Sequence, residues 1–592
     1  MSQGGRAEAA GRTRGGGGND RLHVWLAGLA RPARGFTSQP EPRSIGLFAR
    51  GRQLVAGNFL LAGTLVEAPG TTLWDIPMPD PAFAAEAHGF AWLDDLAAVG
   101  DGPARRTAQD WTFGWIARYG RGRGPGWTPE LAGRRLIRWI NHAVMLLIGR
   151  EFADSAAFFR ALSRQTVYLA RRWHSAPPGL PRFEALCGLI YAGLALSGME
   201  GRVARATVAL ARECAGQVDA EGGIPTRNPE ELLEVLTLLI WAAQALEAAG
   251  RAVPPEHRAA IGRIAPTLRA LRHADGGLAR FHGGGRGIDG RLDHALANSG
   301  VKAMATAGLA MGFARLSGGR TSVIVDASIP PRGPASTAAH ASTLAFELTS
   351  GRRPLIVNCG SGLPFGGAWR RAGRATVSHA TLSVEGFSSS RLGGRGIGNG
   401  RAERLVDRAR VTHLNRTAGP EGTALMAGHA GWSATHGLTH IRALELATDG
   451  RVLTGHDSIR AITGAERKRF DAVLAHQGTG GIPFSVRFHL HPDVDAAIDL
   501  GGTAVSLALR SGEIWVFRHD GATRLTLEPS VYLEKGRLKP RATKQIVLSG
   551  MVTDHAAETG WTLAKAQDTP LAIRDLDRDE PPGLAPHDRS RP

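Results

Sequence analysis

Residues 340–348 read HASTLAFEL, residues 354–360 read PLIVNCG and residues 378–386 read SHATLSVEG. Each is a short run of apolar and β-branched residues with alternating character, closed by Gly or a small polar residue, which is the pattern of a strand. Runs of the same kind recur at 321–326, 514–518, 523–527 and 545–548. Strands repeating to about residue 550 without helix-length segments between them predict an antiparallel β-sandwich over residues 317–574. The three quoted runs also carry side chains capable of chemistry: His340, Asn358 and His379.

N-terminal to this region the period changes. Apolar residues recur at three- and four-residue spacing over 131–144, 152–173, 183–196, 203–218, 232–249 and 257–271, the stripes of amphipathic helices. Pro177-Pro178-Gly179, residues 219–225 and Val253-Pro254-Pro255 punctuate them. Short turns between long helices predict antiparallel helical hairpins, in a ring or a solenoid, over residues 46–316. The sequence has no strict repeat period of a consensus array. The predicted fold class is therefore α+β and multidomain, helices first and sandwich second. A basic Gly-rich tail (1–45) and a polar tail (575–592) flank it, both expected to be disordered.

The 592 residues carry Lys+Arg 71 against Asp+Glu 53, a net charge of +18, which favours anionic partners. Lys occurs only at Lys302, Lys468, Lys535, Lys539, Lys544 and Lys565. The excess is thus Arg, in a chain also rich in Ala and Gly, so much of it follows composition. Three cysteines, Cys187, Cys214 and Cys359, exclude a disulfide framework and a CxxC metal knuckle. No apolar run approaches the roughly 20 residues that span a bilayer, and the apolar stretch at 23–30 is too short and too late for a signal peptide. Gly285-Arg-Gly287-Ile-Asp-Gly290 fits GxGxxG but does not follow a strand, which argues against a nucleotide site. No basic run is interleaved with aromatics, so nucleic acid is not an expected partner. His489 and His491 share one face of a strand without a legible third ligand, and are expected to be structural.

The order of the motifs points further. The His before LAFEL, the polar residue before Gly in PLIVNCG and the His before TLSVEG resemble the heparinase II/III-type polysaccharide lyases, whose sandwich carries runs of the kind HADxLSFEL, LLVDxG and HNTxxVDG. Trp127-Thr-Pro129, Arg135 and Trp139-Ile140 resemble the WxP…R…W helix of their N-terminal (α/α) toroid. Residues 219–229 resemble their DGGHxERSP loop, and the likeness extends over roughly residues 74–550. It implies a toroid plus sandwich and β-elimination on an acidic, uronate-containing polysaccharide. It also implies an envelope or periplasmic location; the lack of a plain signal leaves the cytoplasm as the alternative. Such a reaction removes the proton α to a carboxylate and expels the 4-linked oxygen, so it needs a neutralised carboxylate, a base and an acid.

Against this pattern the chain departs at several positions. The Tyr after the family's RSP triplet is Glu231 here, followed by Leu232 where a His is frequent. The Asn-Asn-His run is reduced to Arg182. The His, Asp, His set that holds a structural metal becomes His340, Asn358 and His379, and an amide is a weak zinc ligand. No cofactor is required by the reaction. The candidate catalytic residues are His340, His379 and Asn228, and the candidate substrate-binding residues are Arg182, Arg227, Arg280, His282 and Arg286. The structural alternatives are strand bracing for the histidines, helix capping or Glu pairing for the arginines, and a plain link for the Gly-rich loop. Glu231 would then be a solvated helix-face residue. On the same fold, the rival function is a catalytically altered protein that binds an anionic glycan during envelope polysaccharide assembly. The sequence leaves the oligomeric state open.

Overall fold

The computed structural model describes residues 17–38, 43–302, 308–394, 403–477 and 480–567. Of the tail expected at 1–45, residues 1–16 and 39–42 lie outside the described residues, as does the whole tail expected at 575–592. Helices Pro129–Asn141, Phe152–Arg172, Leu180–Ala195, Val203–Gln217, Pro229–Ala248 and Pro255–Ala270 each follow one of the apolar stripes closely. Prolines occupy the first turn of several of them, where a missing N–H costs nothing. Pro129–Asn141 and Leu180–Ala195 cross backbone to backbone: a Cβ at Gly188 would lie 2.4 Å from the Gly133 Cα. Only glycine at both positions permits that approach. Trp92, Trp115 and Trp139 fill the core of this helical domain.

Two boundaries differ from the expectation. Helix Gly17–Ala27 buries Val24 and Ala27 in the helical core, and the Asp20 carboxylate accepts from Arg172 Nε at 2.9 Å and Tyr168 Oη at 3.2 Å. The helical domain therefore starts before residue 46. A short segment anchored by two apolar side chains and one ion pair has too little periodicity to register in the sequence. At the other end, strand Phe313–Gly318 pairs with Thr321–Asp326, so the sandwich begins at 313 rather than 317.

The second domain is built on two antiparallel sheets of eight strands each, with a separate short pair, Arg391–Leu392 and Leu405–Asp407. One sheet has Val452–Arg460 and Ala556–Gln567 at its centre. The other contains Thr321–Asp326, Phe346–Ser350, Arg353–Val357, Ile482–Leu490 and Arg541–Val552, with Leu382–Val384 paired onto Ile482–Leu490. Their inner faces share a core that includes Phe346, Phe488, Phe517 and Trp561. Contrary to expectation, one helix of ordinary length, Gly464–Gln477, interrupts the strands. Phe470 is its only buried apolar side chain among the described residues, so it shows no stripe. Phe313, Ile324 and Ala345 of the sandwich join the helical core instead, with Phe281 and Phe313 ring centroids 5.0 Å apart. That shared apolar seam fixes how the polar groups beside it meet. No helix among the described residues is long and apolar enough to cross a membrane.

Candidate functional site

The loop before helix Pro229–Ala248 is shaped by Asp219, whose Oδ1 accepts from the N–H of Glu221 and Gly223. It ends on Arg227, a non-glycine residue at φ 51°, a strained conformation the surroundings must hold. They hold it through all five guanidinium N–H groups. Nε donates to the Met311 carbonyl at 3.0 Å, and Nη1 to those of Ser328 and Ile329 at 3.3 and 3.2 Å. Nη2 donates to the Gly312 carbonyl at 2.9 Å and to Asp326 Oδ1 at 2.7 Å. The plane also lies over the Phe313 ring, 4.6 Å from its centroid. A Cβ at Gly312 would meet the guanidinium at 2.8 Å, so glycine there is required by this contact. Arg227 is thus a tie between the domains, and not the free substrate-binding cation expected.

Asp326, at the end of its strand, gathers the histidines. Its Oδ2 accepts from Ser342 Oγ at 2.7 Å and faces His282 Nε2 at 3.4 Å. Burial opposes its ionisation, but Arg227 and His282 outweigh burial and hold the carboxyl well below the usual range. His282 Nδ1 accepts the backbone N–H of His340 at 3.2 Å. His340 Nδ1 lies 3.0 Å from His379 Nε2, and His379 Nδ1 lies 2.8 Å from the Ala375 carbonyl. A carbonyl only accepts, so His379 carries its proton on Nδ1 and its Nε2 accepts from His340 Nδ1–H. The lone pair of His340 Nε2 is left over, with no hydrogen-bond partner among the described residues. Burial keeps both rings neutral: it lowers His379 to about 4 and, together with neighbouring His379, holds His340 well below its ordinary value.

The third member of the metal-like set faces elsewhere. Asn358 Oδ1 accepts from the Ala380 N–H at 3.0 Å, and its Nδ2 points to Glu347 Oε1 at 3.5 Å. His340 and His379 have turned one nitrogen each toward the other. These donors do not fit zinc, which favours three or four imidazole, thiolate or carboxylate ligands. Among the described residues no group of three or more His, Cys, Asp or Glu is arranged to hold a metal.

The remaining candidates separate. Arg280 joins the seam: Nη2 donates to the Asn358 carbonyl at 2.7 Å, Nε faces Glu347 Oε1 at 3.5 Å, and the guanidinium stacks 4.2 Å from the Tyr532 ring centroid. Asn228 is the N-cap of helix Pro229–Ala248, its Oδ1 accepting from Glu230 and Glu231 N–H at 3.0 and 3.2 Å. Arg182 stays inside the helical domain, bonding the carbonyl of Ala176 and Glu213 Oε2. Arg286 pairs with Asp275 and Asp289. Glu231 is half-buried, and burial with Glu184 nearby pushes its carboxyl up to about 7. Sequence reasoning missed Asp326, Ser342, Glu347 and Tyr532, and the only trace of Asp326 was an acid closing an otherwise apolar strand.

A helical domain followed by a two-sheet antiparallel sandwich is the fold this chain shares with solved polysaccharide lyases. Residues 301–562 match the family described as heparinase II/III-like, C-terminal. FtsZ-localized protein C of Caulobacter vibrioides (strain NA1000 / CB15N) is 33% identical over 576 residues, covering 95% of this chain and 96% of that one. Among solved structures, heparinase III superimposes with a TM-score of 0.66 at 12% identity, over 92% of this chain and 89% of the other. Heparan sulfate lyase HepC from Pedobacter heparinus gives 0.55 at 14%, over 93% and 88%. At such identities the structures establish the fold. The chain belongs to the heparinase II/III-like family.

Proposed function

We propose that this chain is a catalytically altered member of its family that binds an acidic glycan in the envelope at the division site, without β-elimination. The observation that carries this reading is Arg227, whose five N–H groups are all committed to Met311, Gly312, Asp326, Ser328 and Ile329. β-Elimination beside a uronate builds enolate-like charge that positioned donors, amide or cationic, must neutralise, and here the Asn-Asn-His run is replaced by Arg182. Neither Arg227 nor Arg182, which bonds Ala176 and Glu213, offers a guanidinium edge for it. At the position of the family's base stands Glu231, a carboxyl about half protonated near neutrality, since its pKa is about 7. The relative named for its localization with FtsZ supports a place at the division machinery. The family supports an acidic polysaccharide as ligand.

One observation favours the lyase reading instead. His340 Nε2 keeps a lone pair at the end of a fixed hydrogen-bond chain, as a general base requires. A single experiment separates the two. The protein is incubated with a panel of uronate polysaccharides, and ultraviolet absorbance of the unsaturated product is followed alongside direct binding. Binding with a flat absorbance trace is expected. Rising absorbance that His340→Ala abolishes would establish the lyase, and absence of both signals would remove glycan recognition.

A further inference from the structure

Between the loop at 273–289 and the sandwich runs a groove of about 440 Å³, within the size range of small-ligand sites. Two of the candidate substrate-binding residues, Arg280 and Arg286, line it, whereas none of Arg182, Arg227, Asn228, Glu231, His282, His340 or His379 does. It is therefore distinct from the positions that match the family's catalytic residues. Its walls carry Arg286, Arg510, Arg537 and Arg541, with Arg280 and Tyr532 beneath.

The charges in this groove are layered. Asp493 Oδ1 accepts from Arg510 Nη2 and Arg541 Nη2, both at 2.9 Å. Glu534 Oε2 faces Arg537 Nε at 3.2 Å and Arg541 Nη1 at 3.5 Å. The two carboxylate side chains are only 16% and 21% exposed, whereas those of Arg510, Arg537 and Arg541 are 61%, 36% and 31% exposed. On this wall the acids below thus hold the guanidinium groups above them in fixed orientations, and a ligand meets the cations first; the exposed acid of the lining, Asp289 at 73%, stands on the other wall beside Arg286. An Arg fork braced in this way is suited to bidentate capture of a carboxylate. The aromatic rings of the lining, His273, His491 and Tyr532, are nearly covered. The groove consequently has no platform for stacking bases, which single-stranded nucleic acid binding relies on.

We infer that this groove is a non-catalytic site for a short acidic oligosaccharide segment, whose carboxylates are gripped by Arg510 and Arg541. The inference rests on the glycan-binding reading above and names where the glycan sits. The layered arrangement makes binding salt-sensitive, because the cations face solvent while their carboxylate partners do not.

The test is calorimetric titration of the full chain with a hyaluronan hexasaccharide, against chitohexaose as the uncharged control. Arg510→Ala combined with Arg541→Ala is expected to weaken hyaluronan binding by about tenfold or more, while Arg258→Ala on a distant helix leaves it unchanged. Arg510→Glu alone, at a side chain that is 61% exposed, is expected to weaken it in the same direction. Unchanged hyaluronan affinity in these variants would overturn the groove assignment and leave glycan binding standing elsewhere on the chain. Absence of any hyaluronan or heparin binding to the wild type would overturn both readings. Tighter binding of an oligothymidylate, lost in the same variants, would reassign the groove to nucleic acid.

Discussion

The molecule contains two buried clusters made of the same residue types. At the domain seam stand Arg227, Asp326, His282, His340 and His379; inside the sandwich stand Arg442, Asp457, His440 and His429. In the second, Arg442 grips Asp457 with Nε and Nη2 at 2.8 and 3.0 Å, and Trp561 Nε1 donates to the same carboxylate at 2.9 Å. His429 Nδ1 accepts from the Gly431 N–H at 3.1 Å, so its Nε2–H points to His440 Nδ1 at 3.3 Å, and His440 Nε2–H ends on Asp457 at 2.7 Å. Every nitrogen in that chain is used. At the seam the chain runs the other way, from His340 through His379 to a carbonyl, and leaves His340 Nε2 open. Residue type does not separate a brace from a potential site; the direction in which the protons are ordered does. The closed cluster also supports the open one, since Arg442 Nη1 donates to the carbonyls of Leu344 and Ala380, beside the two histidine loops.

This contrast can be broken at either end. Asp457→Ala leaves Arg442 buried without its carboxylate, and should cost about 3–5 kcal/mol in denaturant unfolding; a loss below about 1 kcal/mol would show that this pair does not brace the sandwich. Acid should act next. His379 titrates at about 4 when folded against 6.5 for the free ring, so the unfolded chain binds the extra proton. Its stability contribution is present above pH 6.5 and declines as pH falls toward 4, by about 3 kcal/mol in total. Comparing wild type with His379→Gln across that window measures it, and parallel curves would remove His379 as the source. Glu231→Gln should be stabilising by less than about 1 kcal/mol at pH 5 and by about 3 kcal/mol at pH 8, because a carboxyl raised from 4.5 to about 7 keeps its proton in the fold after the unfolded chain has released it; destabilisation at pH 8 would assign it an ionic partner. Arg227→Lys keeps the charge but loses the fork, and is expected to cost about 1.5–3 kcal/mol. The helical domain and the sandwich should then melt at more separate temperatures in calorimetry. Finally, a chelator should leave the melting temperature unchanged, given the amide of Asn358 in the metal-like set. A lowered melting temperature would show that the site reorganises around a metal.

Much of the fold was legible because its signals are local. Stripes at 152–173 and 203–218 became helices of nearly those lengths, and the run at 321–326 is a strand with those ends. Helix Gly464–Gln477 escaped because only Phe470 among its apolar side chains is buried. Helix Gly17–Ala27 escaped because its ion pair, Asp20 with Arg172, joins residues 152 positions apart in sequence. Within the site, His282, His340 and His379 were singled out and do converge. Asn228 and Arg182 instead do local work, capping a helix and bonding a neighbouring turn. The sequence makes Asn228 a catalytic candidate, although an Asn before Pro-Glu-Glu also has the signature of an N-cap.

By itself the sequence determined the two domains, their order and their family, because hydrophobic period and motif succession are properties of neighbouring residues. It also supplied the excess of arginine. What those arginines do was decided only by the tertiary structure. Arg227 is a domain tie because Asp326, 99 positions away, meets it at 2.7 Å, and Arg510 faces solvent above Asp493 because two strands bring them together. Charge is written residue by residue, but whether a cation is available to a ligand depends on which distant carboxylate reaches it first.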